Sequence, residues 1–142
     1  MILAFDPGIT TGYAMLNGEI YEFGHLPDRL AGIFNFLNVR RPDELLYEDF
    51  KHRPQMMKAE LHSVKVIAII ELWSDLHNVP IKNKPLPARA KAFWTDKKIK
   101  ALDLWYPGER HAMDALRVLL THKSQVDEVW YNAMLEKLRD KL

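Results

Sequence analysis

The sequence contains no cysteine among its 142 residues, which excludes disulfide bonds and thiolate metal sites. It also contains no long apolar segment. The first apolar run is interrupted at Asp6, and the longest later run, 66–70, is far shorter than the ~20 residues of a membrane helix. We therefore expect neither a signal peptide nor a membrane span. The missing cysteines fit a reducing compartment, and the predicted location is cytoplasmic.

A large net charge is also absent: the formal value is +1, so bulk electrostatics do not indicate a nucleic-acid partner. The distribution is uneven, however. Segment 82–100 contains a single acid, Asp96, and seven basic residues, and a second basic stretch lies within 51–58. Such patches can neutralise phosphates, although a solvated lysine face is the simpler alternative. The basic residues of the two stretches are Lys82, Lys84, Arg89, Lys91, Lys97, Lys98, Lys100, Lys51, Arg53 and Lys58.

Apolar periodicity in the first half predicts strands followed by a helix and a further strand. Asn17-Gly18 is a hairpin signal between two of the strands. Asp28 can cap the first helix, and Arg41-Pro42 ends it. The predicted strands are 2–6, 11–16, 19–23 and 45–47, and the predicted helix is about 28–38.

The longest predicted helix, 56–77, has two apolar stripes where an ordinary surface helix has one. Two stripes predict burial on two sides, against the sheet and against a second subunit. The first stripe contains Met57, Leu61, Val64, Ala68, Leu72 and Leu76, and the second contains Val66, Ile69, Ile70 and Trp73.

The second half predicts a fifth strand at 79–81, with Pro80 indicating an edge or a strand start. Helices are predicted at about 88–94, 109–122 and 125–142, the last with an apolar face. Together these elements predict an α/β fold with a mixed five-stranded sheet flanked by helices. We expect one domain over 1–142, with a C-terminal helical extension at about 124–142. The apolar face of the last helix is Val126, Val129, Trp130, Met134 and Leu138.

Three acids occupy positions at which a site could form. Asp6 ends the first strand and Glu48 ends the fourth. His111 and Asp114 are three residues apart, so they share one face of a late helix. Because the ends of adjacent central strands lie close together, a helix packed over that edge could bring all four side chains together.

Crowded carboxylates repel one another and are stabilised by a cation. Oxygen-rich ligand sets suit Mg²⁺ or Mn²⁺, and two such ions about 4 Å apart can promote phosphodiester hydrolysis. Each residue also has a simpler interpretation: a turn residue, a solvated strand end, or a surface pair on a helix. Only the joint pattern favours a site. The other histidines are interpreted as ordinary: His25, His52, His62, His77 and His122.

This joint pattern resembles the RuvC family of Holliday-junction resolvases. Residues 2–14, Ile-Leu-Ala-Phe-Asp-Pro-Gly-Ile-Thr-Thr-Gly-Tyr-Ala, are similar to that family's first strand, its Asp-Pro-Gly turn and the start of its second strand. Leu45-Leu46-Tyr47-Glu48 resembles the strand that supplies the second acid. The segment 111–122, which begins His-Ala-Met-Asp-Ala-Leu, resembles the final acidic motif. The compact length is similar to that of phage-type relatives.

The resemblance implies an RNase H-like fold and a homodimer that nicks four-way DNA junctions symmetrically. It implies Asp6, Glu48, Asp114 and His111 as catalytic residues and metal ligands, with two Mg²⁺ ions per site and Mn²⁺ able to substitute. The family places an aromatic residue after its second acid, and Phe50 is the nearest candidate. For a phage-encoded protein the location would be the host cytoplasm. The predicted DNA contacts are Phe50, Lys51, Arg53, Lys84, Arg89 and Lys91.

Three alternatives remain open. A related nuclease of the same fold could act on forks, flaps or RNA–DNA hybrids, since fold does not determine substrate. The protein could also bind DNA junctions without cutting them, in which case it would keep the DNA-binding surface but lack phosphodiester cleavage. The Asp-x-Gly turn and hairpin also resemble the first phosphate loop of actin-like ATPases, which need two such domains to enclose ATP.

Overall fold

The computed structural model describes residues 1–27, 29–49 and 58–142. The predicted helix cap at Asp28, the predicted DNA contacts Phe50, Lys51 and Arg53, and the predicted stripe residue Met57 lie outside these residues. None of the helices in the described ranges is both long and apolar enough to cross a bilayer.

Among the described residues, five strands form one mixed sheet in the order β3-β2-β1-β4-β5. β1 pairs antiparallel with β2, and β2 with β3, whereas β4 lies parallel to β1 and β5 lies parallel to β4. The strands are β1 (Ile2–Asp6), β2 (Thr11–Asn17), β3 (Ile20–Leu26), β4 (Glu44–Tyr47) and β5 (Ile81–Asn83). The predicted mixed five-stranded sheet is confirmed.

Helices cover both faces of this sheet. α1 and α2 pack on one face, and α5, supported by the remaining helices, packs on the other. The helices are α1 (Leu30–Arg40), α2 (Lys58–His77), α3 (Pro87–Phe93), α4 (Asp96–Ala101), α5 (Arg110–Val126) and α6 (Glu128–Lys141).

Strand alternation divides the core into two clusters. Leu3 and Phe5 of β1 point toward α1 and α2, and Ala4 points toward α5. This follows from the two-residue period of a strand, which sends successive side chains to opposite faces. Even-numbered positions of β1 and β4 therefore face α5, and Asp6 and Glu48 have this parity.

Several predicted boundaries were wrong. β3 continues to Leu26, and β5 begins at Ile81 rather than at residue 79, although its edge position agrees with the interpretation of Pro80. The sequence prediction missed α4, whose N-cap Thr95 accepts a hydrogen bond from the Lys98 amide. α5 continues four residues past the predicted end at His122.

The predicted start of the last helix at 125 was also wrong, because Asp127 caps α6 by accepting a hydrogen bond from the Trp130 amide at 2.9 Å. Two members of its predicted apolar face are exposed: Val126 belongs to α5 and is 62% exposed, and Val129 is 82% exposed. Leu138 is buried, and Trp130 and Met134 pack against the same core cluster.

The two stripes of α2 differ in burial. Val66, Ile70 and Trp73 are fully buried against the sheet. The other stripe faces outward, with Leu72 49% and Leu76 62% exposed, and Leu61 and Val64 are exposed as well. The structure thus leaves one apolar face of α2 open on this chain.

Candidate active site

Two of the predicted acids meet where β1 and β4 end. The parallel register pairs Phe5 with Tyr47, so the residues that follow, Asp6 and Glu48, are neighbours. The Glu48 amide donates a hydrogen bond to the Phe5 carbonyl at 2.9 Å, which extends the pairing by one step. Both side chains have the parity that faces α5, so the sheet places two carboxylates beneath that helix.

Gly12 allows α5 to cross the sheet at this point. A Cβ placed on Gly12 would lie 2.0 Å from the carbonyl oxygen of His111 and 2.6 Å from the amide nitrogen of Ala112. Only a residue without a side chain permits so close an approach between β2 and the start of α5. As a result, the His111 Nδ1 atom lies 3.0 Å from Asp6 Oδ2.

Asp114 lies one turn further along α5, is buried, and contacts two cations. Its Oδ1 accepts a hydrogen bond from Arg117 Nη1 at 2.8 Å, and its Oδ2 lies 3.3 Å from Lys91 Nζ. Arg117 is also buried, donates to the Trp94 carbonyl at 2.8 Å, and contacts Asp96. These contacts hold Asp114 against the segment that joins α3 to α4.

The acids interact electrostatically. Burial, together with the negative charges of Asp6 and Asp114, raises the pKa of Glu48 to about 8. Burial also raises the pKa of Asp6, against the opposing effect of its hydrogen bond to His111. Asp6, Glu48 and Asp114 thus lie close enough for their charges to interact.

The donor types fit a hard divalent cation, since three carboxylates and one imidazole are oxygen-rich. Crowded carboxylates repel one another, and a bound cation would relieve that repulsion. In the present side-chain arrangement His111 pairs with Asp6, and Arg117 and Lys91 pair with Asp114. Within the described residues, no three acidic or histidine side chains are grouped in a way that could hold a metal ion.

The predicted DNA contacts fall in several places. Lys84 follows β5 and is exposed, and Arg89 is exposed on α3. Lys91, also on α3, contacts Asp114 of the acidic cluster. Phe50, Lys51 and Arg53 lie outside the described residues.

Two histidines that were interpreted as ordinary have acidic partners in the fold. His25 on β3 lies 2.8 Å from Glu109, the residue before α5. His122 lies 3.5 Å from Glu44 and is buried, which lowers its pKa. Neither pair could be found from spacing, because 84 and 78 residues separate the partners along the chain.

Sequence reasoning also missed Arg117 and Gly12. Arg117 follows Asp114 by three residues, and this i,i+3 spacing was a usable signal for an ion pair on one helical face. Gly12 gave a weaker signal, because a glycine early in a strand indicates a close approach without identifying the approaching element.

The comparisons with known proteins agree with this architecture. The RuvC structure from T. thermophilus in complex with a Holliday junction substrate superposes with a TM-score of 0.62 at 18% identity, covering 87% of this chain and 94% of that one. The chain has the RuvC fold. A second RuvC structure from Thermus thermophilus gives a TM-score of 0.57 at 14% identity, covering 87% of this chain and 95% of that chain. The RuvC fold is of the RNase H-like type, which confirms the predicted fold class. The sequence matches no model of a protein family and no curated protein.

Proposed function

We propose that this protein is a metal-dependent, structure-selective DNA endonuclease that resolves four-way junctions by symmetric nicking. The observation that carries the proposal is the proximity of Asp6, Glu48 and Asp114, where burial and then the charges of the other two acids raise the pKa of Glu48. The RuvC fold adds support, because one superposing structure contains a Holliday junction substrate. The proposed class is therefore a crossover junction endodeoxyribonuclease.

In this proposal Asp6, Glu48, Asp114 and His111 hold two Mg²⁺ ions per site, with Mn²⁺ able to substitute. When bound, such ions supply an activated water and neutralise charge at the leaving oxygen. His111 is positioned by its hydrogen bond to Asp6, and its alternative role to direct metal binding is that of a proton shuttle. Arg117 fixes one oxygen of Asp114 and leaves the other to Lys91.

The proposed substrate is branched DNA, bound through phosphates by basic residues around the site. Lys84 and Arg89 are exposed on the segment that carries Lys91 to the acids. Phosphate contacts fix the register of DNA and carry little sequence information. Phe50, Lys51 and Arg53 directly follow the Glu48-Asp49 segment in the sequence, and their contact with DNA remains a proposal.

The proposed assembly is a homodimer formed through the open stripe of α2. Leu61, Val64, Leu72 and Leu76 are exposed on one face of this helix, although the opposite face is buried in the core. Contiguous apolar faces of this kind mark interaction sites. Two copies joined there would supply the two active sites that paired nicking needs.

The proposal is tested by nicking assays on four synthetic substrates: a four-way junction, a flap, a fork and a linear duplex, each with Mg²⁺ and with EDTA. The expected result is Mg²⁺-dependent paired nicks in the four-way junction and little cleavage of linear duplex. Cleavage of flaps or forks in preference to the junction would support a related nuclease and contradict the proposed substrate.

One observation favours a second candidate, a junction-binding protein that does not cut. Lys91 and Arg117 already neutralise Asp114, so part of the acidic cluster has a partner without metal. Tight binding of the four-way junction without cleavage in either Mg²⁺ or Mn²⁺ would support this candidate.

A further inference from the structure

A cleft of about 530 Å³ opens beside Asp114, between the start of α5 and the α3–α4 corner. We call it the Tyr106 cleft. Its size falls in the range of small-ligand pockets, about 300–1,000 Å³. It shares Lys91 and Asp114 with the acidic cluster, so anything bound there lies next to the proposed reaction centre. The residues that matter here are Lys91, Trp105, Tyr106, Arg110, Met113 and Asp114.

The aromatic side chains of the cleft pack against neighbouring residues on one side, and Tyr106 is exposed to solvent on the other. Tyr106 is 55% exposed and packs edge-on against Phe23 of β3, with ring centroids 6.4 Å apart. Trp105 packs partly into the core, and Lys100 Nζ lies 4.6 Å from the centre of its ring. Tyr106 is therefore held in place yet keeps enough free surface to stack on a planar group.

All but one of the charged side chains that line the cleft form ion pairs among the described residues. Asp96 and Asp114 are paired with Arg117, Lys91 also contacts Asp114, and Glu109 is paired with His25. Arg110, at the first position of α5, is exposed and makes no ion pair within the described ranges. Its guanidinium is suited to bind a phosphate.

We infer that the Tyr106 cleft binds one unstacked nucleotide of the cleaved strand, with its base against Tyr106 and its phosphate near Arg110. An exposed aromatic ring beside an unpaired cation is the arrangement with which proteins bind single-stranded nucleic acid. The position next to Asp114 places this nucleotide beside the phosphate that is cut. The inference rests on the proposed nuclease function, and Tyr106 and Arg110 are positioning residues in it.

The test uses a single-stranded oligodeoxynucleotide of about ten nucleotides, a length comparable to known single-strand site sizes. One central base is the fluorescent analogue 2-aminopurine, and binding is measured in EDTA so that no cleavage occurs. The wild type should quench the fluorescence. Tyr106→Ala should lose most of the quenching and bind about tenfold more weakly, because a stacked base is lost. Tyr106→Phe, which keeps the ring, should stay within about twofold of the wild type.

Arg110→Gln should leave the quenching unchanged. The slope of log affinity against log salt concentration should become shallower by the amount expected for about one phosphate contact. Unchanged quenching and affinity in Tyr106→Ala would overturn the inference, and so would a Tyr106→Phe variant as weak as Tyr106→Ala. Tyr106 is largely exposed, so melting temperatures should match and exclude unfolding as the cause.

Nicking of a four-way junction by the wild type in Mg²⁺ separates this inference from the proposed function. Quenching that depends on Tyr106, without nicking, would support nucleotide binding in the Tyr106 cleft and contradict the proposed nuclease function. Nicking without Tyr106-dependent quenching would sustain the nuclease and contradict the cleft.

Discussion

At Glu48, burial and charge repulsion act together on one carboxyl group. The residue is 8% exposed and lies near Asp6 and Asp114, and its pKa is raised from 4.5 to about 8. Near neutral pH the metal-free protein therefore tends to keep a proton on Glu48. In the proposed function, a divalent cation would take the place of that proton, so metal affinity should increase with pH.

This shift predicts how stability depends on pH in EDTA. The folded state binds a proton at Glu48 that the unfolded state releases above about pH 4.5. Glu48 therefore makes the free energy of unfolding fall as the pH rises from about 4.5 to about 8, by an amount on the order of a few kcal/mol. Denaturant titrations between pH 5 and pH 8 measure it. The contribution of Glu48 is the difference in this pH dependence between the wild type and Glu48→Gln. The comparison is needed because the lowered pKa of His122 makes the free energy of unfolding rise with pH in both proteins.

Glu48→Gln should reduce the fall of the free energy of unfolding between pH 5 and pH 8. The control variant Glu19→Gln, at an exposed position, should show the same fall as the wild type. Equal slopes in the wild type and in Glu48→Gln would contradict the shared acidic site. Addition of Mg²⁺ at pH 8 should stabilise the wild type more than Glu48→Gln, since ligand binding to the folded state raises its stability.

At the scale of elements, the contact between β2 and α5 determines whether the site forms. Gly12 permits α5 to approach closely enough for His111 to reach Asp6. Because backbone atoms occupy the space that a side chain would need, a substitution at Gly12 must push the helix away from the sheet.

Gly12→Ala should therefore destabilise the fold by about 2 kcal/mol or more, through overpacking against backbone. It should also reduce nicking, because His111 and Asp114 move with α5. Gly32→Ala is the matched control. Its Cβ would lie 3.7 Å from the Arg29 side chain, an ordinary contact within α1, so it should leave stability unchanged or raise it by up to about 1 kcal/mol. Thermal denaturation of both variants checks this, and a Gly12→Ala variant as stable as the wild type would refute the close contact.

Helix α2 carries the second prediction at this scale. Leu72→Glu places a charge in the exposed stripe and should convert a dimer to a monomer in sedimentation at micromolar concentration. Paired nicking should then be replaced by single nicks. Val129→Glu on α6 introduces the same charge at an even more exposed apolar residue and should remain dimeric. A wild type that sediments as a monomer would contradict the dimer proposal.

For the whole molecule, the sequence predicted the sheet, the helices that flank it and the convergence of the acids. The signals were local: a short apolar run that ends in an acid in β1, two stripes on α2, and the i,i+3 spacing of His111 and Asp114. The structure confirms burial of both faces of the sheet, whereas only one of the two α2 stripes is buried on this chain.

The sequence could not predict contacts that depend on tertiary packing. Arg117 contacts Trp94, which follows α3, and Asp96, which begins α4, and Lys91 reaches Asp114 from α3. The outward position of Val129 depends on where α6 begins, and the Asp127 cap sets that start. Such features arise because neighbouring elements compete with local propensity.

The most direct test of the central claim is the effect of Asp6→Asn on four-way junction cleavage in Mg²⁺. This change removes the charge of one acid while nearly preserving its shape. Nicking should fall by at least about a hundredfold, comparable to losing one electrostatic catalytic group, whereas junction binding should stay within a few-fold of the wild type. If Asp6→Asn nicks the junction as fast as the wild type, the assignment of the acidic cluster as the catalytic centre is wrong.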